Sequence, residues 1–388
     1  MTRHPIRISL GLFGISVVAV SASIGPAAAA PPAPTCHGLP ATIVGAGYLQ
    51  GTLGDDVIVG SDGIDWIDGG AGNDTLCGLG GNDFVIGGPG DDLVDGESGT
   101  DAVLGDRFAL LGNVDGPGGD DIVLGGPGDL DIIAGDNAAI IGDASGRAGS
   151  DHVDGGPGNL DIHHGDNASF RGNASGPGGN DDLVDSSGEL EIFVGDNGAI
   201  TGTAVGPGGD DTITDSSGTV FSMNGDNTSF YGANGPAGND ILAGPPGGSG
   251  FVIGDNQSAL GPTVSGTTGG NDTIILGDGP NGLGAPVEGD NIVAAVDVTI
   301  DGLVLGLLGM PGVDRMPIPL SVITGHWPGI FGYTRGSGDD RISGGQSNDA
   351  IDGGPGDDDI DGGGGIDRCD GGPGRNSVRN CGIAADVR

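Results

Sequence analysis

From Gly51 the chain reads in unbroken nines: GTLGDDVIV, GSDGIDWID, GGAGNDTLC, GLGGNDFVI, GGPGDDLVD and GESGTDAVL, ending at Leu104. The sixth place is always aspartate: Asp56, Asp65, Asp74, Asp83, Asp92 and Asp101. The fourth is always glycine, and the eighth always apolar, from Ile58 to Val103. Such a segment cannot be helix, because its glycines and aspartates break any 3.6-residue stripe. Six residues of the Gly-Gly-x-Gly-x-Asp type favour a turn with positive φ and close backbone approach. The remaining three form a short strand whose middle side chain points inward. Two units bring the chain back to its starting direction, so stacking sets each aspartate beside that of the turn two units later. The period predicts an all-β solenoid.

The same frame returns over 335–379 as RGSGDDRIS, GGQSNDAID, GGPGDDDID, GGGGIDRCD and GGPGRNSVR. Its sixth places are Asp340, Asp349, Asp358, Asp367 and then Asn376, where the carboxylate is lost as in a terminal capping unit. Ser347 replaces the glycine of its second unit.

Composition sharpens the problem this pattern poses. There are 89 glycines, 24 prolines and only 4% aromatics, too little large apolar side chain for a thick core. Asp and Glu number 54 against 12 Lys and Arg, a net charge of −42, and no lysine occurs. That field repels nucleic acid and anionic membrane and attracts cations. Carboxylates stacked at strand spacing repel unless a cation lies between them. Ca²⁺ suits the place, taking six to eight oxygens from carboxylates and backbone carbonyls.

These nonapeptides closely resemble the RTX, or hemolysin-type, calcium-binding repeat family. The resemblance implies a right-handed parallel β-roll or β-helix with several Ca²⁺ ions held between successive turns. It implies that the position-six aspartates of both blocks are side-chain ligands, with loop carbonyls completing the sphere. One departure is the leader: RTX toxins typically leave by a C-terminal signal, whereas residues 1–30 here read as an N-terminal signal peptide. Arg3, His4 and Arg7 are followed by an apolar run over 8–20 and by Ala27–Ala30, with cleavage favoured after Ala28 or Ala29 because Pro31 hinders the next bond. The expectation is a stand-alone secreted, extracellular repeat protein without membrane insertion.

Between the blocks, over 105–290, the period lengthens to about thirty. Gly-Asp begins at Gly105, Gly135, Gly165, Gly195 and Gly225, with further copies at Gly254 and Gly289. A second column, Asp121, Asp151, Asp181, Asp211, Asp240 and Asp272, keeps the nonapeptide-like frame and is expected to ligate metal. A third decays: Asp131, Asp161, Glu191, then Phe221. One unit should make one enlarged coil, either a nonapeptide-like half with a longer half or three short sides. Asp136, Asp166, Asp196, Asp226 and Asp255 would then line the axis as further cation sites, with neighbouring asparagines bonding between coils. The competing reading of Gly-Asp-Asn is plain turn chemistry.

Four regions complete the expected organisation: an N-terminal cap and β-roll over 31–104, the long-period solenoid over 105–290, an apolar insertion over 291–334, and a β-roll with cap over 335–388. The insertion, rich in aliphatics and carrying His326, Trp327, Phe331 and Tyr333, reads as strands and a loop packed on the solenoid, with a binding patch or dimer contact as the alternative. Cys36, Cys77, Cys369 and Cys381 allow three pairings; Cys36–Cys77 with Cys369–Cys381 is favoured because each bond would staple one end. A zinc site is the competing use, weakened by the lack of any CxxC. No HExxH and no Gly-x-Ser-x-Gly occurs, and the adjacent pair His163-His164 points to opposite faces of a strand, a poor chelate. The chain is expected not to be an enzyme. Its expected partners are calcium ions and a cell-surface or matrix component that the sequence does not name. The alternatives are a calcium-dependent adhesin gripping through 291–334, or a hydrolase-associated RTX protein.

Overall fold

A computed structural model describes residues 33–258, 269–276 and 338–385, except 129, 159, 186–187, 217, 230, 247–248 and 347, together with the strands Val287–Glu288 and Ile292–Val293. The expected signal peptide and nearly all of the expected insertion therefore lie outside the described residues. The unit Pro34–Arg388 is described by itself.

Among the described residues there is no helix. Apart from one antiparallel hairpin, Thr35–Cys36 with Leu39–Pro40, all strand pairings are parallel. The fold is a parallel β-solenoid. Sheet 1 has 14 strands and runs from Ile43–Val44 to Ser377–Arg379. Sheet 2 has 13 strands and runs from Tyr48–Gln50 to Ile383–Ala385. Each pair of nonapeptides gives one strand to each sheet, so Val57 pairs with Thr75 and Trp66 with Phe84.

The eighth-position side chains of both sheets meet in a single file. Ile58, Leu76, Val94 and Val123 from sheet 1 face Ile67, Val85, Val103 and Ile133 from sheet 2, all fully buried. A core one side chain thick per strand is all this composition can fill, and tight backbone stacking compensates. Gly90 shows why glycine is required. Its φ is +148°, and a Cβ there would lie 1.8 Å from the Gly72 carbonyl oxygen of the coil below.

After Leu104 each coil grows. Ile122 pairs with His152, thirty residues on, and the added length forms two further sheets. Sheet 3 has seven strands, from Phe108–Leu111 to Ile292–Val293; sheet 4 has five, from Val114–Asp115 to Ala233–Asn234. The long coil is thus a nonapeptide-like half plus a longer half, and it has four sides; the three-sided alternative does not form. Three sides would leave the outer face of sheet 2 uncovered. Instead Leu104 and Ala134 of sheet 2 pack against Ala138 and Ala168 of sheet 3. Sheets 3 and 4 close a small second core of Val114, Ala139 and Ala144. Where sheet 3 begins, Phe108 packs edge-on against Phe84, centroids 4.4 Å apart, and Phe84 stacks on Trp66 at 4.5 Å.

Across the insertion the stack keeps its register. Thr273 pairs with Arg341 and Val287 with Ile351. Ile292–Val293, the start of the expected insertion, is still a strand of sheet 3, paired with Gln257–Ser258. Disulfides join Cys36 to Cys77 and Cys369 to Cys381, which removes these cysteines from metal binding.

Candidate metal centre

The sixth-position aspartates enter the turn just before each strand, so stacking lines them up. They form two ladders, one leading into each main sheet. In the first, the N–H of Asp56 donates to Oδ1 of Asp74 at 2.7 Å, and that of Asp74 to Asp92 at 2.7 Å. The ladder then passes into the long coils through Asp121, Asp151, Asp181, Asp211, Asp240 and Asp272, at 2.7–2.8 Å per step. It continues from Asp272 to Asp340, Asp358 and finally Asn376. The nonapeptide aspartates and the Asp121 column, separate in the sequence reading, are therefore one ladder.

The second ladder runs Asp65, Asp83, Asp101, Asp131, Asp161 and Glu191, at 2.7–2.9 Å per step. The column that decays in sequence is its continuation. Near the C-terminus Asp349 donates to Asp367 at 3.0 Å in the same way.

At fourteen rungs of the two ladders one carboxyl oxygen takes a backbone N–H and the other is left over, whereas both oxygens of Asp56 and of Asp65 are bonded. Oδ2 of Asp74, Asp83, Asp92, Asp101, Asp121, Asp131, Asp151, Asp161, Asp181, Asp211, Asp240, Asp340, Asp358 and Asp367 is buried without a hydrogen-bond partner. An orphaned buried acceptor costs about 1–3 kcal/mol, more when charged. Burial, with repulsion from the neighbouring rungs, lifts Asp83 to about 7 and Asp92 to about 8. In the long coils Asp121 is pushed up to about 10, while Asp151, Asp181 and Asp211 lie well above the usual range. Fourteen orphaned oxygens in register match what a hard, oxygen-seeking cation requires.

The Gly-Asp-Asn column adds a third line. Asp106, Asp136, Asp166, Asp196, Asp226 and Asp255 are fully buried. Each accepts an N–H from a glycine of the following GPGG-like turn, as Asp196 does from Gly209 at 2.9 Å. This is the expected turn chemistry, and it coexists with a second role. Asp166 lies within hydrogen-bonding reach of the carboxyls of Asp196, Asp181 and Asp136, and burial lifts it to about 7. The third line therefore packs directly against the first ladder.

Beside it, the asparagine amides run coil to coil: Asn137 donates to Asn167 at 3.1 Å, Asn167 to Asn197 at 3.0 Å, Asn197 to Asn227 at 2.9 Å and Asn227 to Asn256 at 2.8 Å. Sequence reading missed an exposed fifth-position ladder, in which the Asn73 N–H bonds Asp55 and the Asp210 N–H bonds Asn180. The recurring Asp or Asn just before each position-six aspartate was its signal.

Among family profiles, the RTX calcium-binding nonapeptide repeat matches this chain in four copies, at 50–85, 78–109, 144–159 and 334–369. A search of curated proteins gives no match, and neither does a search of solved structures.

Proposed function

Because this chain carries RTX calcium-binding nonapeptide repeats, we propose that it is an exported, non-enzymatic solenoid whose stack orders when Ca²⁺ enters its carboxylate ladders, serving a structural or cell-surface-associated role. The ligands in this reading are Asp56, Asp74, Asp92, Asp121, Asp151, Asp181, Asp211, Asp240, Asp272, Asp340 and Asp358 on the first ladder. Asp65, Asp83, Asp101, Asp349 and Asp367 serve the second. Ca²⁺ supplies the positive charge that lets the rungs ionise while buried, and turn carbonyls complete its oxygen shell. Since the ion binds the stack and not the loose chain, its binding free energy adds to folding. Extracellular modules bind Ca²⁺ with dissociation constants of about 10⁻⁴–10⁻³ M, so the chain stays loose where free calcium is low and orders after export.

The observation that supports this reading is the set of fourteen orphaned Oδ2 atoms spread along the two ladders. Circular dichroism of the mature protein, with Ca²⁺ and with chelator at neutral pH, tests it. A β spectrum should appear on adding millimolar Ca²⁺ and vanish on chelation, with several ions per chain by mass spectrometry. A chelator-resistant β spectrum, or no bound calcium, would overturn it.

A further inference from the structure

At one point inside the long coils, three departures from the repeat pattern converge. The core position of sheet 2 that holds Val103, Ile133, Phe193 and Met223 in neighbouring coils is filled by His163, which is fully buried. The residue after the sheet 1 strand is Gly125 and Gly155 in earlier coils but becomes Asp185 in the next. The second ladder changes there from aspartate to Glu191, whose longer arm reaches further inward. We propose that Asp161, His163, Asp185 and Glu191 form an internal site for a first-row transition-metal ion of the zinc class, built at the Asp161 and Glu191 rungs of the second ladder.

Four ligand atoms, one from each residue, lie within 4.8 Å of one another. His163 Nε2 is 3.7 Å from Asp185 Oδ2 and 3.9 Å from Glu191 Oε2. These are too long for hydrogen bonds. They are close to the roughly 3.4 Å edge of a tetrahedron with Zn–N and Zn–O bonds of about 2.1 Å. Neither nitrogen of His163 has a hydrogen-bond partner, and Oε1 of Glu191 and Oδ2 of Asp161 are also orphaned. A buried imidazole with both nitrogens idle is costly unless something binds it. The chemistry separates this site from the other rungs. Ca²⁺ prefers oxygen alone, whereas imidazole with carboxylates suits zinc and its neighbours. Gly155 leaves the room: a Cβ there would lie 2.6 Å from the His163 ring. Phe193 closes one side, its ring centroid 4.5 Å from that of His163.

The test uses the full chain, refolded from chelator into millimolar Ca²⁺ with Zn²⁺ or Co²⁺, desalted, and counted by metal mass spectrometry. His163→Leu puts an apolar side chain where neighbouring coils carry Ile133, Phe193 and Met223, and Asp185→Gly restores the glycine of the earlier coils, so both should fold. Wild type should retain one zinc equivalent in excess calcium, and its Co²⁺ form should show the intense visible absorption of a four-coordinate site with a nitrogen ligand. Both variants should lose the zinc and the colour while keeping the wild-type calcium count and β spectrum. Equal zinc in wild type and both variants would overturn the proposal, as would an unchanged Co²⁺ spectrum in His163→Leu. Zinc displaced entirely by calcium in wild type would do the same. Failure of the calcium-ladder reading would register separately, as a missing calcium count in every protein.

Discussion

The short and long coils share a main core and a first ladder but differ in what surrounds them. In a nonapeptide coil such as 51–68, two sheets enclose one file of apolar side chains, and the second sheet's outer face is exposed or half-buried. In a long coil, sheets 3 and 4 cover that face, and the Gly-Asp-Asn column closes over the first ladder. Asp83 and Asp92 are accordingly raised to about 7 and 8 and Asp121 to about 10, with burial the leading cause each time. About twelve added residues per coil turn a ladder beside water into one walled off from it. Enclosure gains apolar contact, and it makes the carboxylates more dependent on whatever neutralises them.

Withdrawing calcium should separate the two regions most sharply. At pH 7.5 in chelator, amide hydrogen exchange should lose its protection across 121–258. Lowering the pH should restore it. Burial lifts Asp131 to about 7 and Asp161 to about 8 in the cation-free stack, against 3.8 when unfolded, so that stack binds more protons than the loose chain between these limits. Its stability is therefore fully present below about pH 4 and lost as pH rises through 7–8. In calcium the trend reverses, because protons compete for the same oxygens. Loss of β structure in chelator on acidification from pH 7.5 to 5 would break this account.

A single charge should act with opposite signs in the two conditions. Asp181→Asn should cost the calcium-loaded protein about 3–5 kcal/mol, read as a fall in denaturant midpoint, because the remaining rungs lose a partner. In chelator at pH 7.5 it should stabilise, by removing a buried carboxylate. Asp83→Asn in a short coil should change both in the same directions but by less, about 1–3 kcal/mol in calcium. Equal effects at the two sites would show that enclosure does not matter.

The asparagine ladder exists only in the long coils. Asn197→Ala should cost about 1–3 kcal/mol, since it leaves the buried Asn167 amide without its acceptor and Asn227 Oδ1 without its donor. Smallest of all should be Arg379→Ala in the last short coil. Arg379 pairs with Asp359 and Asp361 at a half-exposed surface, where salt screens the contact. Its melting temperature should match wild type within error.

The solenoid, its two periods and its aspartate columns were legible because each rests on a residue type that only one backbone state or one packing tolerates. The number of sides per coil was not. Strands of sheets 3 and 4 such as Ala168–Arg171 and Ala144–Ser145 are short pieces led by alanine and serine, with no β-branched run to announce them. Continuity between ladders was hidden by the change of period at Leu104, since the same rung recurs at 18 residues before it and about 30 after. His163 was weighed only against its neighbour His164. Asp161 shares its strand, but Asp185 lies at another strand's end and Glu191 on the next coil, and only the stack brings these together.

The N–H of Asp272 reaches Asp340 at 2.9 Å over a separation of 68 residues, as if nothing intervened. The sequence between these two rungs still gives Thr273–Ile275, Val287–Glu288 and Ile292–Val293 to sheets 1, 2 and 3, so the rungs on either side meet as neighbours however many residues lie between them. Each doubling of a connecting span costs only about 0.6 kcal/mol in closure entropy. Evolution or an engineer can therefore change the length of sequence between matched rungs while the stack keeps its register.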